Sequence, residues 1–155
     1  MIIQCDTRQQ DSKHKLKEQY FASVGIKCVR SKLFVGDYTR LDNQTICVDS
    51  KQDLVEVAGN ICGKQHERFR AECLKAKENG IQLIILIEEP QSLETLADWK
   101  PPIFKYGKMK GHYVTQVRGT TLAKAMATMT ANYGVQFMFT TKQDCGRKIV
   151  ELLGG

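Results

Sequence analysis

No apolar run in this chain is long enough to span a bilayer, and Met1-Ile2-Ile3-Gln4 lacks the basic start and long apolar core of a secretion signal. The expectation is therefore no membrane association and a cytoplasmic location. The six cysteines (5, 28, 47, 62, 73 and 145) include no C-x-x-C pair. That argues against a zinc knuckle or a disulfide framework and for reduced thiols, most of them acting as small buried apolar residues. His14, His66 and His112 have no partners at metal-ligand spacing. His14 and His112 read as solvated, and His66 as a cap or surface residue. Neither a P-loop nor a Rossmann glycine pattern occurs, so no nucleotide cofactor is expected. Repeats, heptads and low-complexity tracts are absent too.

What is present is a basic chain of 155 residues with net charge +6. The length suits one domain, 1–155, with a substantial core. The charge favours a polyanionic partner without identifying it. Hydrophobic periodicity and turn residues predict strands over 1–5, 26–34, 45–51, 81–87 and 135–140. They predict helices over 11–23, 54–61, 67–78, 92–97, 120–133 and 143–153. The 45–51 strand is expected to pair with its predecessor as a hairpin. Leu16, Tyr20 and Phe21 are expected to face inward from the first helix, with Lys13, Lys15 and Lys17 on a solvated face. Leu122, Met126 and Met129 read as core. With the short 92–97 helix left out, the order β-α-β-β-α-α-β-α-β-α implies an α/β three-layer sandwich around a mixed central sheet.

The densest chemistry is Asp37 followed by Asp49-Ser50-Lys51. Side chains alternate along a strand, so Asp49 and Lys51 share a face while Ser50 points away. A hairpin would bring Asp37 beside them. Two carboxylates and an ammonium at the end of an apolar sheet are costly unless paired or bound to a cation. The set suits phosphodiester hydrolysis: carboxylate oxygens hold Mg²⁺ or Mn²⁺, and the lysine offsets charge near the attacking water. The bland alternative is a Gly-Asp turn and a surface ion pair.

Asp6-Thr7-Arg8, Val35-Gly36-Asp37-Tyr38 and Val48-Asp49-Ser50-Lys51, in that order, resemble the motifs D-x-R-E, V-G-D-Y and V-E-R-K. These are the motifs of the XPF-type nuclease domain, which includes Hef and Mus-type members within the PD-(D/E)XK, restriction-endonuclease-like superfamily. The stretch Gln52-Asp53-Leu54-Val55-Glu56-Val57-Ala58-Gly59-Asn60, with Arg68-Phe69, is most similar to compact stand-alone phage and prophage members, for which the location would be the host cytoplasm. The resemblance implies a Mg²⁺- or Mn²⁺-dependent, structure-specific endonuclease acting on branched DNA such as a Holliday junction or flap. It makes Asp37 and Asp49 metal ligands, Lys51 the catalytic lysine, Asp6 an additional acid at the metal site, and Arg8 and Arg68 phosphate contacts. Gln9, Asp49 and Ser50 depart from the family's Glu, Glu and Arg. The downstream acid is Asp53 or Glu56, with Glu56 preferred as one helical turn beyond Gln52. Two rival readings are a catalytically silent DNA-binding module and a nuclease of linear duplex or single strands.

Residues 100–119 hold Pro101-Pro102, three glycines and Lys105, Lys108, Lys110 and Arg118 among Phe104, Tyr106 and Tyr113. This reads as a loop or loose hairpin and the best nucleic-acid patch, or equally as a flexible loop with ordinary surface charge. Two cuts in a four-way junction would call for a homodimer. The small residues Ala123, Ala127 and Thr130 offer a surface for one.

Overall fold

The computed structural model describes residues 1–154. Six strands form one sheet: β1 (Ile2–Cys5), β2 (Lys27–Arg30), β3 (Tyr38–Arg40), β4 (Ile46–Lys51), β5 (Gln82–Ile87) and β6 (Gln136–Phe139), in the order β2-β1-β3-β4-β5-β6. β3 runs antiparallel to both its neighbours, and the other pairs are parallel. The expected mixed sheet is therefore present. Helices α2 (Leu54–Cys62), α3 (His66–Glu78) and α4 (Gly119–Tyr133) bury Leu54, Phe69, Leu122, Met126 and Met129 against one face. Helices α1 (Asp11–Ser23) and α5 (Cys145–Leu152) bury Phe21 and Ile149 against the other. The alternating residues of β4 and β5 divide between these cores: Cys47, Leu83 and Ile85 to the first, Val48, Ile84 and Leu86 to the second. Each large apolar side chain among these contributes about 1.5–3 kcal/mol on burial. The result is the expected three-layer α/β sandwich.

Several expectations need correction. The 26–34 strand is ordered as β only over Lys27–Arg30, and β4 pairs not with it but with β3, which the sequence pattern did not separate out. The 92–97 helix is a single 3₁₀ turn, Leu96–Asp98. On α1 the inward face is His14, Lys17 and Phe21, at i, i+3 and i+7, while Leu16 is 44% exposed. The two polar residues are buried because each has a partner. His14 Nδ1 meets the Tyr38 hydroxyl at 2.6 Å, and Lys17 Nζ lies 2.5 Å from Glu88. Burial pushes the His14 pKa down, which favours the neutral ring. Cys5 and Cys28 are not reduced thiols but a disulfide: the parallel β1–β2 register sets Cys28 opposite Ile3, two residues before Cys5 on the same strand, which leaves the two Cα atoms 6.5 Å apart and within bonding reach. His14 Nε2 lies against this disulfide, 3.9 Å from Cys28 Sγ. Cys47, Cys73 and Cys145 are buried and free, as expected. Among the described residues, no helix is long and apolar enough to cross a membrane.

Candidate active site

Strand register builds the site. Cys5 pairs with Tyr38, and Tyr38 with Val48. One step further, Asp6 stands opposite Asp37, and Asp37, just before β3, lies beside Asp49 at the end of β4. The backbone carries the pattern on, with Asp6 N–H donating to Asp37 O and Asp37 N–H to Val48 O, both at 2.9 Å. Three carboxylates thus form one row across the ends of β1, β3 and β4. Gly36 makes the entry to β3 possible. Its φ of +73° is left-handed, and a Cβ there would sit 3.2 Å from Val48 O.

The row opens into a cleft of about 480 Å³ between the sheet end and helices α2 and α3. It continues into a smaller hollow of about 240 Å³ reached by Lys13, Lys17 and Glu88. Asp37, Asp49 and Lys51 line both. Ser50 points to the opposite face of β4, yet its N–H donates to Asp37 Oδ2 at 2.9 Å and its hydroxyl approaches the same oxygen at 3.3 Å. Lys51 Nζ lies 3.2 Å from Asp49 Oδ2. Burial acts to lower the Lys51 pKa, but the charges of Asp49 and Asp37 outweigh it and push it up to about 12. Lys51 is thus a permanent cation that can orient an anion or water, and it is no general base at neutral pH.

Asp37 is pushed well above the ordinary carboxylate range, first by burial and next by the charge of Asp49. Lys51 alone leaves this acid pair under-compensated. Hard oxygen donors with excess negative charge fit Mg²⁺ or Mn²⁺. A divalent cation held by Asp37 and Asp49 would supply Lewis-acid polarisation of a phosphodiester.

Asp6 is buried, and both its oxygens are engaged. Oδ2 accepts from Arg8 Nε at 2.9 Å and Oδ1 from Leu33 N–H at 3.4 Å. It therefore fixes Arg8 at the cleft mouth. Glu56 lies in the cleft and accepts the Gln52 N–H at 2.8 Å, while Asp53 caps α2 by accepting the Glu56 N–H at 2.8 Å. Arg68 lines the cleft wall on α3.

Residues 5–152 match the family model of the ERCC4 domain. The chain belongs to the ERCC4 domain family. Two solved structures, XPF from Aeropyrum pernix alone and in complex with DNA, resemble this ERCC4 domain with TM-scores of 0.66 and 0.66 at 19% and 19% identity. The matches cover 99% and 98% of this chain but 63% and 62% of those chains, so it spans less than two thirds of their length. That likeness is one of fold. No curated protein matches the sequence.

Of the residues singled out in the sequence, Asp6, Arg8, Asp37, Asp49, Lys51, Glu56 and Arg68 come together in this one cleft. Lys105, Lys108, Lys110 and Arg118 do not line it, and stand on or beside a separate hairpin at 103–113. Sequence reasoning missed Glu72. Its Oε1 accepts the Gly36 N–H at 2.8 Å, and burial first, then the Asp49 charge, push its carboxyl up. The signal was there: Glu72 is the acid in an otherwise apolar stripe of Phe69, Cys73 and Ala76 on α3. Sequence reasoning also missed Asn60, which is 6% exposed and lines the cleft; its amide donates to Gln65 Oε1 at 2.6 Å, while its own oxygen has no partner among the described residues.

Proposed function

We propose that this ERCC4 domain is a Mg²⁺- or Mn²⁺-dependent endonuclease that hydrolyses phosphodiesters in branched DNA, such as a four-way junction or flap. The observation that carries the reading is the row Asp6–Asp37–Asp49 with Lys51 at the open end of the sheet. In this reading Asp37 and Asp49 hold the cation, with Asp6 and Glu56 as outer acids. Lys51 offsets negative charge at the reacting phosphate. Arg8 and Arg68, which both line the cleft, grip flanking phosphates. DNA as partner is supported by the DNA complex of the Aeropyrum pernix relative. The whole chain acts as one nuclease domain. Two copies working together fit a junction that needs two cuts. Helix α4 leaves Ala127 and Thr130 exposed, with Ala123 half-buried, as the surface for that pairing. The test is a panel of end-labelled DNAs (four-way junction, 3′ and 5′ flaps, linear duplex, single strand) incubated with and without Mg²⁺ or Mn²⁺. Cleavage confined to branched DNA supports the proposal. Equal cleavage of linear duplex removes the substrate assignment, and binding without cleavage leaves a silent DNA-binding module.

A further inference from the structure

The segment 100–116 is absorbed neither by the cleft nor by the core, yet it is built with care. Strand β5 ends beside β4, where Glu88 N–H donates to Lys51 O at 2.8 Å. From this end of the sheet the chain runs through the Leu96–Asp98 turn into the segment, which returns at Gly119 to open α4. A Cβ at Gly119 would collide with the carbonyl oxygen of Leu96, so the two stems are clamped together at the base. Above the clamp an antiparallel bridge joins Ile103 to Tyr113. Val114 N–H donates to Pro102 O, Phe104 N–H to His112 O and Gly111 N–H to Phe104 O, each at 2.9 Å. Gly107 and Gly111, both at φ +85°, turn the tip. This is a hydrogen-bonded hairpin, rooted at the same end of the parallel strands as Asp49 and Lys51.

Its tip inverts the usual preference for a solvent-facing turn. Tyr106 is 86% exposed and Met109 53% exposed, with no core to join. Lys105, Lys108 and Lys110 are exposed between them. Apolar groups held in water by a pinned scaffold mark a binding surface. Three interleaved lysines select a polyanion as what covers it, and among polyanions a flat aromatic ring selects one that offers flat π-faces, namely unpaired nucleobases. Paired bases are stacked on their own neighbours and offer no such face except at ends and branch points.

We propose that the 103–113 hairpin docks on unpaired bases at a DNA branch, with Tyr106 stacking on a base while Lys105, Lys108 and Lys110 meet the adjoining phosphates. The inference rests on the DNA reading above and adds the feature of the substrate that is recognised. It gives the protein a means of telling a branch from plain duplex that is separate from the cleft.

The test compares binding of the full chain, in EDTA so that nothing is cut, to a forked DNA carrying 2-aminopurine in its single-stranded arm and to a blunt duplex of the same length. Tyr106→Ala is expected to weaken fork binding roughly 5- to 150-fold, the span of one stacked base. It is also expected to abolish the change in 2-aminopurine fluorescence and to leave duplex affinity unchanged. Tyr106→Phe retains the ring and restores both. Replacing Lys105, Lys108 and Lys110 with Ala should reduce the salt slope by about 0.7 for each single-strand phosphate no longer neutralised. Equal affinity of wild type and Tyr106→Ala for the fork overturns the assignment while leaving the nuclease reading in place. So does an equal loss on duplex. Wild-type protein that binds neither probe overturns both. A concentration-dependent dimer that Tyr106→Ala dissolves overturns it in favour of a second copy of the chain.

Discussion

Asp37→Asn removes one charge from the acid row with almost no change of shape, and its effect on stability has a definite sign. Asp37 binds its proton more tightly in the folded protein than in the unfolded chain, because burial and the Asp49 charge both disfavour its ionised form. A carboxyl with a raised folded pKa keeps its proton in the native state over the pH range where the unfolded chain, with a value near 3.9, has already lost it. Metal-free stability therefore falls as pH rises from about 4 through the folded pKa, and the loss is fully present above it. Each tenfold difference in proton affinity is worth about 1.4 kcal/mol. Asn keeps an oxygen to accept from the Ser50 N–H and has no such penalty. The variant should therefore be more stable than wild type at pH 7 without metal, and for a domain of this size each kcal/mol gained raises Tm by roughly 2–4 °C. At pH 4 the two should converge. Metal acts in the opposite direction: a cation at a hundred times its Kd stabilises wild type by about 2.7 kcal/mol, and the variant by much less. Thermal melts at pH 4 and pH 7, in EDTA and in millimolar Mn²⁺, measure all of this. A variant less stable than wild type at pH 7 in EDTA, or a Mn²⁺ shift equal in both proteins, refutes the acid-pair argument.

Three further outcomes are expected. Lys51→Ala should lower kcat by about 10²–10³-fold, the scale for losing one charge-stabilising donor, while the Mn²⁺ shift in Tm persists; loss of that shift would make Lys51 a structural counter-charge instead. Gly36→Ala should cost about 1–2 kcal/mol for the left-handed backbone alone, with activity lost in parallel because Asp37 is the next residue; denaturant melts and rates read both, and an unchanged midpoint would contradict the strain. Lys17 and Glu88 are 4% and 6% exposed at the side chain, so Glu88→Gln should destabilise by about 3–5 kcal/mol, and Lys17→Met with Glu88→Leu should recover most of that; a double variant as unstable as the single one would contradict the pairing.

How much was legible depended on whether a residue's role followed from its own periodicity. β5 declared itself because five consecutive apolar residues are buried on both faces. Asp49 and Lys51 declared themselves because alternation puts both on the face opposite Val48. β3 did not, because three residues, Tyr38–Arg40, are too few to establish a period, and only pairing with both β1 and β4 makes them a strand. The inward face of α1 was misread because hydrophobic scoring passes over His14 and Lys17, whose burial depends on Tyr38 and Glu88 far along the chain. The Cys5–Cys28 bond likewise comes from strand order, which no local pattern encodes, whereas Glu72 was legible as the acid in the apolar stripe of α3.

The most direct test of the central claim is cleavage of a labelled four-way junction and a labelled flap by wild type and by Asp49→Asn, each with Mn²⁺, Mg²⁺ or EDTA. The account predicts cutting by wild type only with a divalent cation, and none by Asp49→Asn at equal DNA occupancy. Cleavage by Asp49→Asn at a near-native rate, or metal-independent cleavage by wild type, would contradict it.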